Sequence, residues 1–185
     1  MSFLRLHPVC DWRWRNRKWK TRADDSPPNI RLMPCPPKLA AIIALFESLP
    51  EDERRGNLVA FAGQAGRHEP RAGETFDLED VRKDEECTDT VGIFLKLDRQ
   101  RRVSLRISLG PQVQTLTKAM AAILCKGLDD LTPEEIIELP SDFVPKIVGS
   151  QLVRIRSQTV FYVLTRIKGA CKVLLRRLRT AGSEG

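Results

Sequence analysis

Residues 91–109, VGIFLKLDRQRRVSLRISL, contain two segments in which apolar and polar positions alternate. The first segment covers 91–97 and the second covers 103–109. A period of two is typical of strands that bury one face, and the polar residues 98–101 supply a turn between them. The stretch therefore predicts an antiparallel hairpin whose apolar face packs on helices.

Two helices are predicted before the hairpin. The first begins at Lys38 and ends before Pro50, and its apolar residues have helical spacing: Leu39, Ile42, Ile43 and Phe46. The second is expected over 51–65, with Gly66 past its end. Residues 66–90 are acidic and irregular, with a short strand over 78–81.

Further helices are predicted after the hairpin. One is expected to begin at Pro111, run to about Cys125 and stop at Gly127. The residues Thr132, Pro133 and Glu135 have the spacing of a capping box that starts another helix. The last helix has an apolar stripe made of Val160, Val163, Leu164, Ile167, Cys171, Leu174 and Leu178. The expected fold class is α+β, a small antiparallel sheet packed on one side by helices.

The charge is unevenly distributed along the 185 residues, whose net charge is +7. Residues 1–37 hold 8 Lys/Arg and 3 Asp, whereas 38–185 hold 23 Lys/Arg and 21 Asp/Glu. We predict a basic extension with Pro and Trp over 1–37, one domain over 38–179 and a short tail over 180–185. Because the domain is nearly balanced in charge, a nucleic-acid partner is not expected, and the basic residues of the last helix are interpreted as a solvated flank. No run approaches the roughly 20 apolar residues of a membrane-spanning helix, so no membrane partner is expected.

The extension allows two interpretations. Its Arg content and few acids resemble an organelle transit peptide, but serine is scarce and Trp12, Trp14 and Trp19 are atypical of one. The alternative is a tail that is disordered or binds a partner. A secretory signal is excluded because the apolar h-region is missing. We therefore expect an intracellular protein, either cytoplasmic or in an organelle such as a mitochondrion or plastid.

The cysteines favour free thiols. They stand far apart, without a Cys-x-x-Cys pair, at Cys10, Cys35, Cys87, Cys125 and Cys171. This spacing predicts neither a disulfide framework nor a zinc site. Cys125 and Cys171 fall on helical stripes and are expected to be buried, whereas Cys87 lies in a polar stretch just before a strand. Since His7 and His68 are the only histidines, a nucleophile here is expected to work without a histidine base.

Four segments in order resemble the SufE family of sulfur-acceptor proteins. They are Cys87-Thr88-Asp89-Thr90-Val91-Gly92-Ile93, then Thr117-Lys118-Ala119-Met120, then Leu131-Thr132-Pro133-Glu134-Glu135-Ile136, and finally Arg154-Ile155-Arg156-Ser157-Gln158. The family pattern is a Gly-Cys loop before a strand, a helix with Thr/Val-Lys-Gly, a Thr-Pro-x-x-Ile segment and a Ser-Arg-Ser-x-Gly start to the terminal helix. The resemblance spans roughly residues 38–178, so it covers the whole predicted domain.

The resemblance implies a SufE/IscU-like fold and a sulfur carrier that assists an enzyme. Cys87 would accept sulfur from the persulfide of a cysteine desulfurase and pass it to an iron–sulfur scaffold or another recipient. Arg156 and Lys118 would contact the desulfurase. No metal and no cofactor beyond the transient cysteine persulfide is implied, and a homodimer is compatible with the resemblance. Such a transfer is a thiolate attack on a sulfur–sulfur bond, which requires an accessible thiol.

The chain departs from the family pattern around this cysteine. Glu86 replaces the family's Gly, Asp89 replaces its Ser, and Gly92 stands where the family has an aromatic residue. The family's Gly-Asp-Ser-Asp corresponds to Gly110-Pro111-Gln112, and its helix Gly to Ala119. Because acidic neighbours disfavour a thiolate, we expect the pKa of Cys87 to lie above the ordinary thiol value of about 8.5.

Two alternatives follow from these departures and from the fold. One is a degenerate SufE-like interaction protein that keeps the fold without sulfur transfer. The other is a cluster scaffold of the IscU type, which would need two more cluster ligands near Cys87. The helical positions of Cys125 and Cys171 disfavour the scaffold.

Overall fold

The structure is a computed structural model that describes residues 35–83 and 90–181, with only the backbone of Lys83. Within these ranges the chain forms six α-helices, one 3-10 helix and three strands. In chain order they are α1 (Pro37–Ser48), α2 (Glu51–Gly63), the 3-10 helix (Ala65–His68), β1 (Leu78–Lys83), β2 (Thr90–Leu97), β3 (Val103–Leu109), α3 (Thr115–Leu128), α4 (Pro133–Glu138), α5 (Phe143–Val148) and α6 (Ser150–Ala181). The predicted extension lies outside the described residues except for its last three, as does the end of the predicted tail.

The three strands form one antiparallel sheet in the order β1-β2-β3. The predicted hairpin is confirmed as β2 and β3, with Ile93 opposite Ile107. The strand predicted over 78–81 is also present and extends to Lys83, with Asp80 opposite Ile93. Apolar residues of the inner face are buried: Leu78, Val91, Ile93, Leu95, Val103, Leu105 and Ile107.

Helices cover the inner face of the sheet, as the sequence predicts. The long apolar run of α3 is almost entirely buried because this helix contacts α1, α2, β3 and α6. The stripe of α6 is buried from Val160 to Leu174, whereas Leu178, also predicted in the stripe, is 38% exposed. The result is the predicted α+β fold, a small sheet with helices on one side.

The segment before β1 partly covers the outer face of the sheet. The ring of Phe76 lies 5.2 Å from the ring of Phe94 on β2, centroid to centroid. Glu74 accepts a hydrogen bond from Arg106 on β3, with 3.3 Å between Oε1 and Nε. Residues that have no helical or strand period in the sequence therefore shield the face of the sheet opposite the helices.

Three predicted helix ends are wrong. Helix α2 ends at Gly63, and Gly66 belongs to the 3-10 helix that follows. Helix α3 begins at Thr115 rather than at Pro111, since the Val113 N–H donates to the Gly110 carbonyl in a turn. Gly127 lies inside α3, where a Cβ would stand 3.0 Å from Cδ1 of Leu39, so this glycine permits the close packing of α1 and does not stop the helix.

The capping box at the start of α4 is confirmed. The Glu135 N–H donates to Oγ1 of Thr132 over 3.2 Å, and the Thr132 N–H donates to Oε2 of Glu135 over 2.8 Å. Helix α6 is interrupted at Arg156, whose φ of −132° and ψ of 35° are not helical. No helix in 35–83 or 90–181 is long and apolar enough to cross a membrane.

Candidate functional site

The strand ends on either side of Cys87 are paired. Lys83 closes β1 and Thr90 opens β2, and the two are partners in the sheet. The six residues 84–89, here called the Cys87 segment, join these two strand ends along the chain. Cys87 itself lies outside the described residues. The described part of the candidate site at this junction is therefore the pair of strand ends, Lys83 and Thr90.

The end of β3 is fixed against the start of β2. The N–H of Gly110 donates to the carbonyl of Thr90 over 2.8 Å. A Cβ added at Gly110 would lie 3.2 Å from Cβ of Thr90, which is tighter than ordinary van der Waals contact. Gly110 therefore allows the chain to leave the sheet directly beside the residue that follows the Cys87 segment.

Lys118 lies near the start of α3. Its N–H donates to the carbonyl of Gln114 over 3.0 Å, which makes it part of the first hydrogen-bonded turn. Lys118 is half-buried, and the residues before and after it in the helix, Thr117 and Ala119, are buried. Within residues 35–83 and 90–181 the Lys118 ammonium forms no hydrogen bond or ion pair, so its charge is available to another group.

Arg156 occupies the break in α6. It is exposed, as are the neighbouring residues Arg154 and Ser157, and Ile155 is 64% exposed. An exposed apolar side chain between two arginines at a helix break is a surface on which a partner can rest.

Two of the remaining cysteines are inert by burial, as predicted. Cys125 and Cys171 are 3% and 0% exposed. Burial raises the pKa of the Cys171 thiol to about 12, and it also raises the pKa of Cys125 strongly. Cys35 is exposed before α1, and its pKa is raised chiefly by desolvation. Across the described ranges, no three His, Cys, Asp or Glu side chains come together in a group that could hold a metal ion.

An ion pair between β1 and α6 was not predicted from the sequence. Asp80 and Arg166 are each only 13% exposed, with 3.5 Å between Oδ1 and Nη2. Arg166 also donates to the Asp80 carbonyl over 3.0 Å, and Arg82 donates to Oδ1 of Asp80 over 2.6 Å. The sequence contains a signal for the inward position of Asp80. Side chains alternate between the two faces of a strand, so Asp80 shares the inner face with Leu78.

Gly92 lies on the outer face of the sheet, where the family pattern has an aromatic residue. A Cβ there would stand 2.4 Å from Oγ of Ser108, 2.9 Å from Cε2 of Phe94 and 3.0 Å from Cγ2 of Val81. Neighbouring side chains therefore fill the space that a side chain at this position would use.

A family model matches most of the described chain. It is the SufE model, described as an Fe-S metabolism associated domain, and it matches residues 40–171. This range includes most of α1, the whole sheet, and α6 beyond its break. No curated protein sequence matches.

Two solved structures match parts of this chain. One is the solution structure of a hypothetical protein from Thermus thermophilus, with a TM-score of 0.57 and 23% identity, covering 76% of this chain and 98% of that one. The other is a crystal structure of a nitrogen-fixing NifU-like protein (N-terminal) from Brucella abortus, with a TM-score of 0.49 and 12% identity, covering 64% of this chain and 92% of that one. At 23% identity, the first likeness shows the fold alone.

Proposed function

Because the chain belongs to the SufE family, whose domain is associated with Fe-S metabolism, we propose that it is a sulfur acceptor and activator of a cysteine desulfurase. The observation that carries this proposal is the family match over residues 40–171, which includes the Cys87 segment between two paired strand ends. Cys87 takes sulfur from the desulfurase and relays it to an iron–sulfur scaffold or a related recipient.

The transfer is a thiol exchange that balances without an external oxidant. The Cys87 thiolate attacks the outer sulfur of the desulfurase persulfide, so a new sulfur–sulfur bond forms at Cys87. The sulfur–sulfur bond of the desulfurase breaks, and its cysteine leaves as a thiolate that takes up a proton. A recipient thiolate then repeats the attack on the Cys87 persulfide. Neither step needs a metal or a histidine base.

Burial of other thiols supports Cys87 as the acceptor. Cys125 and Cys171 are buried, and their raised pKa values keep them protonated near neutral pH. Cys35 is the exposed thiol of the described part, and it therefore serves as the control for non-specific sulfur uptake.

Partner charge is expected to activate Cys87. Asp84, Glu85, Glu86 and Asp89 give the Cys87 segment four carboxylates, which disfavour a thiolate in the free protein. A basic surface on the desulfurase would offset these charges on docking. Arg156 and Lys118 act as partner contacts in this account, since both cations lack a carboxylate partner within the described chain.

The proposal is tested by desulfurase kinetics. Alanine production from L-cysteine is measured with increasing amounts of wild type, Cys87→Ser, Cys35→Ser, Arg156→Ala or Lys118→Ala. We expect no stimulation by Cys87→Ser and full stimulation by Cys35→Ser. Arg156→Ala and Lys118→Ala should raise the half-maximal concentration about tenfold with the maximum retained, because they weaken docking and not chemistry.

Matched control variants test whether a weaker effect comes from a lost docking contact or from the loss of any positive charge. Arg99→Ala, at an exposed arginine in the turn between β2 and β3, and Lys126→Ala, in the same helix as Lys118, should leave the half-maximal concentration unchanged. Thermal unfolding of each variant checks that it is folded. Stimulation by Cys87→Ser equal to that of wild type would overturn the assignment of Cys87.

A second candidate function is a SufE-like protein that binds a desulfurase without accepting sulfur. The observation that favours it is the replacement of the family's Gly by Glu86 beside Cys87, together with the other acidic residues of the segment. It predicts that Cys87→Ser and wild type bind the desulfurase equally and that neither gains sulfur. The IscU-type scaffold is disfavoured, because Cys125 and Cys171 are buried and unavailable as cluster ligands.

A further inference from the structure

A groove runs between β1 and α6 and is lined mainly by cations. Its charged residues are Arg82 and Asp80 on β1 and Arg166, Lys172 and Arg176 on α6, with Thr165, Gly169 and Val173 completing the lining. The groove encloses about 370 Å³. Four cations against one carboxylate make it strongly positive, although the predicted domain as a whole is nearly balanced. We call it the basic groove.

One end of the basic groove is rigid. The Arg166 guanidinium donates to the Asp80 carbonyl and, over 3.1 Å, to the hydroxyl of Tyr162, and it pairs with the Asp80 carboxylate. The Nε of Arg82 donates a hydrogen bond to the same carboxylate, and the Arg82 side chain remains 63% exposed. Asp80 therefore orients both arginines, and the exposed part of Arg82 is left to meet a ligand.

The other end of the basic groove holds unpaired charge. Lys172 and Arg176 are exposed and stand one turn apart on α6. Neither has a carboxylate within salt-bridge distance in residues 35–83 and 90–181, and like charges at this spacing repel. The charge on Lys172 also contributes, after desolvation, to lowering the pKa of Lys168. An incoming anion would relieve this repulsion.

The middle of the basic groove is open. A Cβ added at Gly169 would find no atom within 4 Å. Gly169 lies between Arg166 and Lys172 along the helix, so the missing side chain leaves space between the rigid and the unpaired ends. A chain segment with carboxylates can enter there and reach cations on both sides.

We propose that the basic groove docks an acidic surface segment of the cysteine desulfurase, an inference that rests on the proposed function. Arg82 is the next-to-last residue of β1, so the groove adjoins the strand end that leads into the Cys87 segment. The same partner can carry acidic groups for the groove and basic groups for the carboxylates of the Cys87 segment, which follows Arg82 closely in the sequence. Such alternating complementarity fixes the orientation of docking.

The composition of the groove favours protein over nucleic acid. Grooves that bind single-stranded nucleic acid combine cations with aromatic rings on which bases stack. No aromatic residue is among the described residues that line this groove, and the nearby Tyr162 ring has the Arg166 guanidinium 5.9 Å from its centroid.

The test compares two charge-reversal variants of the full chain. Lys172→Glu with Arg176→Glu changes the groove. Arg67→Glu with Arg99→Glu makes the same charge change at exposed arginines that lie on neither β1 nor α6. Affinity for a purified cysteine desulfurase is measured by calorimetry at low and at moderate salt, and sulfur uptake on Cys87 is measured at saturating desulfurase. We expect the groove variant to bind about tenfold more weakly and with less salt dependence, and the control variant to bind as wild type. The milder pair Lys172→Gln with Arg176→Gln should give an intermediate loss.

The outcomes separate this inference from the proposed function. Groove and control variants that bind equally, while wild type accepts sulfur, would overturn the groove and leave the function intact. Weaker binding of the groove variant with sulfur uptake retained at saturation supports both. A wild type that binds no desulfurase overturns both, and a groove variant that loses affinity for single-stranded DNA but not for the desulfurase assigns the groove to nucleic acid.

Discussion

Gly92 lies beneath Val81, Phe94 and Ser108 on the outer face of the sheet. Gly92→Ala places a methyl group within 3.0 Å of Phe94 and Val81, so these side chains must move. We expect the free energy of unfolding to fall by about 1–3 kcal/mol, the usual cost of overpacking. Chemical denaturation monitored by circular dichroism measures the change.

The matched control is Gly56→Ala in α2. A Cβ at Gly56 meets no atom within 4 Å, so this change removes only the conformational cost of glycine in a helix. It should raise the free energy of unfolding by about 0.5–1 kcal/mol. Equal effects of the two substitutions would show that Gly92 is not tightly enclosed.

His68 gives the fold a dependence on pH. Burial, and then the nearby charge of Arg106, lowers the pKa of His68 below its ordinary value. The unfolded chain therefore binds a proton more readily, and stability falls as the pH drops through the ordinary value of about 6.5 toward the folded pKa. Between about pH 7.5 and pH 5.5, wild type should lose more stability than His68→Gln. Parallel pH profiles of the two proteins in urea denaturation would contradict this.

At the scale of elements, the capping box fixes the start of α4. Thr132→Ala removes the oxygen that accepts the Glu135 N–H, and we expect a loss of about 1 kcal/mol in the free energy of unfolding. The control is Thr165→Ala at an exposed position within α6, where alanine has the higher helix propensity and stability should not fall. Thermal unfolding of the two variants compares them, and a loss at Thr165 as large as that at Thr132 would contradict the capping role.

The ion pair of Asp80 with Arg166 attaches α6 to the edge strand β1. Asp80→Ala leaves a largely buried guanidinium without its carboxylate, so we expect a loss of about 2–4 kcal/mol. Glu79→Ala is the control, because Glu79 is exposed on the opposite face and should change stability by less than about 0.5 kcal/mol. Denaturant titration gives both values, and a small effect at Asp80 would mean that solvent already screens the pair.

The sequence predicted elements best where one signal acts alone. The period of two in 91–97 and 103–109 indicated the hairpin, and the side chains of Thr132 and Glu135 indicated the cap. The predictions were wrong where one residue type can serve more than one structural purpose. Gly127 resembles a helix stop but serves close packing against Leu39, a contact between α3 and α1 that no local pattern encodes.

At the scale of the molecule, the fold class and the family followed from the order of short segments over the predicted domain. The family match over 40–171 confirms the SufE resemblance. The pairing of Asp80 with Arg166 was not predicted, since 86 residues separate the two and only the packed α6 brings them together. The roles of Cys87, Arg156 and Lys118 stay predictions.

Intact-mass spectrometry is the most direct test of sulfur acceptance at Cys87. The full chain is incubated with a cysteine desulfurase and L-cysteine, and wild type is compared with Cys87→Ser and Cys35→Ser. We expect a gain of about 32 Da, one sulfur atom, in wild type and Cys35→Ser and none in Cys87→Ser. A mass gain that persists in Cys87→Ser would contradict sulfur acceptance at Cys87. So would the absence of a mass gain in wild type that is bound to an active desulfurase.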